Sequence, residues 1–304
     1  MNREEGVSFR NSSQVRDSKV FAVLAEGLYS LLYSSIFISC CAFFLTVETF
    51  LLAGIPVSLP LASFVFLATL FTYNLSSIQT VLRGSRNHKK SASWAQRHKQ
   101  ELAFTGTCSL LGAILLYWLY QLHINIWFML HLAVISVGYT IPIIYKSKKV
   151  RPLRSVPLLK VFLIAYVWAA VTVFFPLLHA KVAMWEQEVL LLFLRRFLFI
   201  LALALLFDIR DYLYDQTTNT LTVPGFVGVW NTKLLSLGLL LLNGLIGIKM
   251  ENMPLGIALL VAAVLSALVV LYSSEHKPRV YYAILADGAM LLHAGLVYLA
   301  TLYT

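Results

Sequence analysis

The sequence predicts an all-helical, polytopic membrane protein of about nine transmembrane helices, and three observations predict it. Hydrophobic residues make up 59% of the 304-residue chain and charged residues only 12%, about half the charge of an ordinary soluble domain. The apolar residues gather into runs near the ~20 residues that cross a hydrocarbon core as a helix. The cations between those runs fall mainly in alternate connections, the pattern that orients helices by the positive-inside rule.

In chain order, residues 1–19 are polar and mixed in charge, a cytoplasmic N-terminal segment followed by an apolar stretch too long for a secretory signal. Residues 20–304 then form one membrane domain. Its first span, 22–52, is long and expected to tilt, and 59–82 follows it. A connection carrying Arg83, Arg86, Lys89, Lys90, Arg97 and Lys99 leads to spans 102–120 and 124–145. A second basic connection, with Lys146, Lys148, Lys149, Arg151 and Arg154, precedes spans 156–177 and 185–207. Spans 232–249, 254–273 and 280–302 complete the set. Odd-numbered connections hold only Lys181 and Lys249, which places the N-terminus in the cytoplasm and the C-terminus outside. A bacterial inner membrane is the expected location. Cys40, Cys41 and Cys108 lie in apolar runs and read as small core residues, not a disulfide framework. The net charge of +10 belongs to topology and the membrane surface, so no nucleic-acid partner is expected, and no glycine-rich nucleotide loop is present.

Only 14 residues are acidic, yet Asp208, Asp211 and Asp215 crowd into eight positions of "LFDIRDYLYDQTTNTLTVPG" (206–225). Spacings of three and four put them on one face of a helix continuing out of span six. Three carboxylates that close must be protonated, paired with cations, or bound to metal. Carboxylate oxygens suit a hard cation, and Mg²⁺ typically takes one or two carboxylates plus substrate phosphates, which nearby Lys and Arg can also hold. A solvated, salt-bridged helix end is the alternative reading.

"DIRDYLYD" (208–215) resembles the second aspartate-rich motif of the UbiA-type intramembrane prenyltransferases, N/D-x-x-D-x-x-x-D. Downstream, Asn219 stands where that family commonly has glycine, followed by Thr222 and Pro224. "GYTIPIIYKSKKVRPLRSVPLLK" (138–160) is similar to the family's Tyr-plus-basic segment after span four. Tyr145 and Lys149 reproduce its Y-x-x-x-K spacing, with Tyr139 the alternative equivalent. The family's first motif, N-x-x-x-D-x-x-x-D, aligns with "YNLSSIQTVLRGSRNHKK" (73–90). Asn74 matches, but Ile78 and Leu82 replace both aspartates, and no acidic residue occurs between Glu48 and Glu101.

The resemblance covers the chain from about residue 20 and implies a UbiA-type bundle with a cytoplasm-facing cavity. It implies prenyl transfer from a polyprenyl diphosphate to a lipophilic acceptor, an aromatic one such as a quinone precursor, within membrane lipid. By that resemblance Asp208, Asp211 and Asp215 hold Mg²⁺, with Asp211 and Asp215 catalytic. Asn74, Tyr139, Tyr145, Lys146, Lys149 and Arg196 are the substrate-binding candidates. Tyr139 and Tyr145 also read as interfacial belt tyrosines. Arg83 and Arg86 are either topology cations or fixed positive charge in place of a second ion. The degenerate first motif leaves a second function open, a relative that binds an isoprenoid lipid or partner without catalysis. A transporter is a third, less favoured because no paired intramembrane carboxylates mark a path.

Arg195 and Arg196 lie mid-span, where an arginine is costly and turns toward a bundle interior. At 100° per residue, Arg196 lies within about 60° of Asp211, and Arg195 points the opposite way. Arg196 is therefore expected to point inward and find an acceptor, with Asp287 of span nine a candidate partner. Arg195 is expected against a neighbouring helix or snorkelling outward. His131 and His293 show no ligand spacing.

Overall fold

The computed structural model describes residues 27, 31–32, 34–82, 95–140, 142–146, 149–152, 158–217, 220–250 and 252–303, with backbone alone for 80–82, 139–140, 142–146, 149–152 and 250. The helices are α1 Ile36–Leu52, α2 Leu59–Leu82, α3 Lys99–Leu119, α4 Ile126–Thr140, α5 Leu159–His179, α6 Gln187–Thr217, the short α7 Val223–Val227, α8 Val229–Met250, α9 Met253–Tyr272 and α10 Arg279–Thr301. Among the described residues seven are long and apolar enough to cross a membrane, and α1 and Ile126–Gly138 of α4 are shorter apolar helices. Together they account for nine.

The ends follow local chemistry. Ser35, at φ 66°, turns the chain before Ile36, and α1 covers the C-terminal 17 residues of the expected span 22–52. Residues 22–26, 28–30 and 33 lie outside the described set. Gly54, at φ 61°, supplies the left-handed turn between α1 and α2 that a side chain would resist. Asn252 caps α9 by accepting from the Leu255 N–H at 3.2 Å, with a proline in the first turn.

One expectation is corrected at span four. Helix α4 stops at Thr140, and Pro142–Lys146 (β1) pairs antiparallel with Lys149–Pro152 (β2), Tyr145 opposite Val150 and Lys146 opposite Lys149. Pro142 lacks the N–H that a continuing helix needs. The 124–145 span therefore ends early, and a short hairpin carries the basic connection.

The helices pack in a closed ring. Contacts run α1 to α2, α2 to α4, α4 to α5, α5 to α6, α6 to α8, α8 to α9, α9 to α10 and α10 back to α1, with α3 outside on α2. The apolar window of α6 is 67% buried and that of α3 is 22%, so α6 is the most enclosed of the long helices and α3 the least. Both α5 and α10 contain a π-helical stretch, Ala170–Phe174 and Tyr282–Ala286. Such bulges reorient backbone groups and often accompany functional features.

At 1.5 Å per residue, the 31-residue α6 is about 46 Å long, against about 30 Å of hydrocarbon. The helix continues to Thr217, so Asp208, Asp211 and Asp215 all lie on it.

Candidate diphosphate-binding end of helix α6

The last turns of α6 bring acid and base together. Asp208 is buried at 1% exposure, with Lys160 Nζ of α5 2.7 Å from its Oδ1. The approach is a charge contact with poor hydrogen-bond angles, since that oxygen has no partner in hydrogen-bonding geometry. Arg210 grips Asp211 bidentately, Nε to Oδ1 and Nη2 to Oδ2, both 2.8 Å, and its Cζ lies 5.0 Å from the Phe207 ring centroid. Asp215, 8% exposed, sits in the combined field of Lys160, Asp211, Asp208 and Arg210. Lys160 and Arg279 also act on Asp211, and Asp287 of α10 on Arg210. Four carboxylates, Asp208, Asp211, Asp215 and Asp287, thus share three cations from α5, α6 and α10.

Asn74 is fully buried, not on the lipid face. It packs toward α3, where a Cβ on Gly106 would lie 3.5 Å from its own, and neither side-chain polar atom has a hydrogen-bond partner. No hydrogen bond or ion pair among the described residues joins it to the aspartates. Ile78 is half-buried. Tyr139, Tyr145, Lys146 and Lys149 are placed by backbone only, at the end of α4 and in the hairpin. Leu82 ends α2, likewise as backbone alone, and Arg83, Arg86 and Asn219 lie outside the described residues. Thr222 is 4% exposed, and Pro224 sits in the first turn of α7.

Arg196 points inward and finds an acceptor, but the acceptor is Glu48 rather than Asp287. Its Nη2 donates to Glu48 Oε1 at 2.8 Å and its Nη1 to the Leu45 carbonyl at 3.1 Å. Glu48 Oε2 contacts His293 Nδ1 at 3.0 Å. Thr49 Oγ1 donates to the carbonyl of Thr172 at 2.7 Å, and Thr172 Oγ1 lies 3.4 Å from Arg196 Nη1, so the π-turn of α5 joins the same network. Arg195 is buried against α8, where a Cβ on Gly247 would lie 3.7 Å from its Cζ. Both arginines, Glu48, Asn243 and His293 line one small space too tight for a water molecule. Fifteen residues, about 22 Å of helix, separate Arg196 from Asp211. The structure therefore does not bring Arg196 to the aspartates, because a carboxylate on α1 claims it first.

Sequence reasoning missed Glu48, His293, Lys160 and Arg210 as partners. Glu48 had a usable signal, since an intramembrane carboxylate must find a counter-charge. The donor set at the α6 end is chemically right for a hard divalent cation. Among the described residues, however, no three such side chains group closely enough to hold one, and Asp208 and Asp211 each already face a cation of the chain.

No family profile matches the chain, and no curated protein matches it either. Among solved structures it is similar to one from work on the digeranylgeranylglyceryl phosphate synthase in membranes, with TM-score 0.56 over 90% of this chain and 96% of that one. The two chains share a fold. At 15% identity the likeness speaks for the helical arrangement alone.

Proposed function

We propose that this protein transfers a prenyl group from a polyprenyl diphosphate to a lipophilic, aromatic acceptor inside the membrane. The observation that carries the reading is the cluster of Asp208, Asp211 and Asp215 with Lys160, Arg210 and Arg279 at the end of α6. It sits in a bundle whose solved neighbour is a membrane synthase of a prenylated product.

The chemistry asks for positive charge at one end and dry walls behind it. The C1–O bond of the prenyl diphosphate breaks, and its electron pair leaves with the diphosphate. The allylic cation forms a bond from C1 to a ring carbon of the acceptor, which then loses its proton. Lys160, Arg210 and Arg279 stabilise the departing phosphate oxygens, and the buried apolar flank of α6 keeps water from the cation. Asp211 and Asp215, with Asp208 behind them, are the residues that would hold Mg²⁺ together with phosphate oxygens. Bound there, the ion would supply further positive charge to the leaving group. In this reading the α6 end faces the cytoplasm, on the side of both basic connections.

A second reading is a relative that binds prenyl diphosphate without turning it over. Ile78 and Leu82, in place of two carboxylates, favour it. Diphosphate release from a set of prenyl diphosphates, with Mg²⁺ and several aromatic acceptors, separates the two. Release supports transfer, whereas Mg²⁺-dependent binding without release supports the second reading.

A further inference from the structure

We propose that Leu213, Leu221, Phe226, Val227 and Trp230, around the short α7, form an interfacial anchor that inserts into the lipid leaflet at the C-terminal end of α6. The anchor does not depend on prenyl transfer. It concerns how deep in the membrane that end of α6 stands.

Composition sets this connection apart. From Gln216 to Thr232 the sequence holds no Asp, Glu, Lys or Arg, whereas the connections of 83–99 and 146–154 carry six and five cations. The side chains that stand outward are apolar. Leu213 is 45% exposed, Leu221 43%, Phe226 70%, Val227 36% and Trp230 63%, while Thr222, Val223 and Pro224 turn inward and are buried. Scattered apolar residues on a surface need no explanation, but an outward set this concentrated marks a contact.

Backbone bonding is the second observation. Chain entering lipid must satisfy its own polar groups, and α7 does so closely. The Thr222 carbonyl accepts from the Phe226 N–H and the Pro224 carbonyl from the Gly228 N–H, both at 3.0 Å. The Val227 carbonyl accepts from Asn231 Nδ2 at 2.8 Å, which turns an exposed amide onto the backbone. The Gly228 carbonyl accepts from Thr232 Oγ1 at 2.8 Å.

Continuity names the occupant. Both α6 and α8 are long and apolar enough to cross a membrane, and Gly228, at φ 86°, lets α8 begin directly after α7. The exposed apolar side chains of α8 resume at Leu234 and Leu235, so the anchor extends a lipid-facing surface. Tryptophan favours the membrane–water interface, and Trp230 lies in the first turn of α8. With no charge of its own, the anchor fits the boundary between headgroups and acyl chains, not an anionic headgroup. Leu213 falls between Asp211 and Asp215 on α6, so insertion sets those carboxylates at headgroup depth.

The test uses the full chain in phosphatidylcholine nanodiscs, with Cys40, Cys41 and Cys108 replaced by alanine. Single cysteines enter as Phe226→Cys, Leu221→Cys, Trp230→Cys and Lys277→Cys, each carrying an environment-sensitive fluorophore. Lys277, exposed in the connection before α10, is the reference. Labels at 221, 226 and 230 should be quenched at least twofold more than that at 277 by lipids bearing a nitroxide near the headgroup. Aqueous iodide should quench them at least twofold less. Three positions keep the test informative if one variant fails to fold, which melting temperature reports. Iodide quenching equal to that at 277 overturns the anchor. Protection from both quenchers would mean that protein covers the patch, and overturns it equally.

Discussion

Replacing Glu48 with alanine should unfold the bundle far more readily than any single change at the α6 end. Glu48 is 1% exposed and Arg196 3%, and the carboxylate is the one acidic group bonded to that arginine among the described residues. Its other oxygen meets His293, itself 2% exposed. Deleting it strands a buried guanidinium, which costs about 3–5 kcal/mol when one partner of a buried pair is lost. At roughly 1.5–2 °C per kcal/mol for a 304-residue chain, the melting temperature should fall by about 5–10 °C. The decisive comparison is Glu48→Gln/Arg196→Met, which removes both charges and retains volume. It should recover most of the loss, because replacing a buried pair by well-packed neutral groups is often near neutral. The assay is tryptophan-fluorescence melting of the detergent-solubilised protein. A fall below ~2 °C for Glu48→Ala, or a double variant no better than the single one, would refute the reasoning.

Other expectations follow from the same contacts. Gly247→Leu should loosen α8 from α9 and Arg195, since even a Cβ there would stand 3.1 Å from Leu259 Cδ1. A loss of about 1–3 kcal/mol should appear as a lower melting temperature, while Gly295→Ala, with nothing within 4 Å of its Cβ, should leave it unchanged. Tyr282→Phe removes a hydroxyl that donates to the Ser274 carbonyl at 2.7 Å and accepts from its N–H at 3.1 Å. It should cost about 1–3 kcal/mol and raise hydrogen exchange in the 273–278 connection. Stabilisation by prenyl diphosphate, which binds only the folded state, should be larger with Mg²⁺ than without. Asp211→Asn should erase that increment, and melting curves with and without EDTA would read it.

The parts legible in the sequence were those set by local pattern. Apolar run lengths gave the seven long apolar helices and the two shorter ones of the described residues, and Asp208, Asp211 and Asp215 lie on a helix that continues to Thr217. Local pattern also misled. The apolar residues of 141–145 read as the end of a span, but Pro142 outweighs their hydropathy and turns the segment into β1. Long-range pairing was the hardest part to see. Glu48 meets Arg196 across 148 residues and His293 across 245, and helical periodicity on one element says nothing about which partner stands opposite. The wheel separated Arg195 from Arg196 correctly as helix-facing and acceptor-seeking groups, yet it could not choose Glu48 over Asp287. Lys160 closes the basic segment 138–160 but begins a new helix, so its place beside Asp208 depended on how α5 packs on α6.

The most direct test of the α6 end as a prenyl diphosphate site is diphosphate release, measured on the purified chain with labelled geranylgeranyl diphosphate, Mg²⁺ and aromatic acceptors. Wild-type protein should release diphosphate in step with a prenylated product, slowly because Ile78 and Leu82 supply no carboxylates. Asp215→Asn should cut the rate at least a hundredfold while leaving the fold intact by melting temperature. Neither release nor saturable binding of any prenyl diphosphate, or release indifferent to Asp215→Asn, would contradict the account.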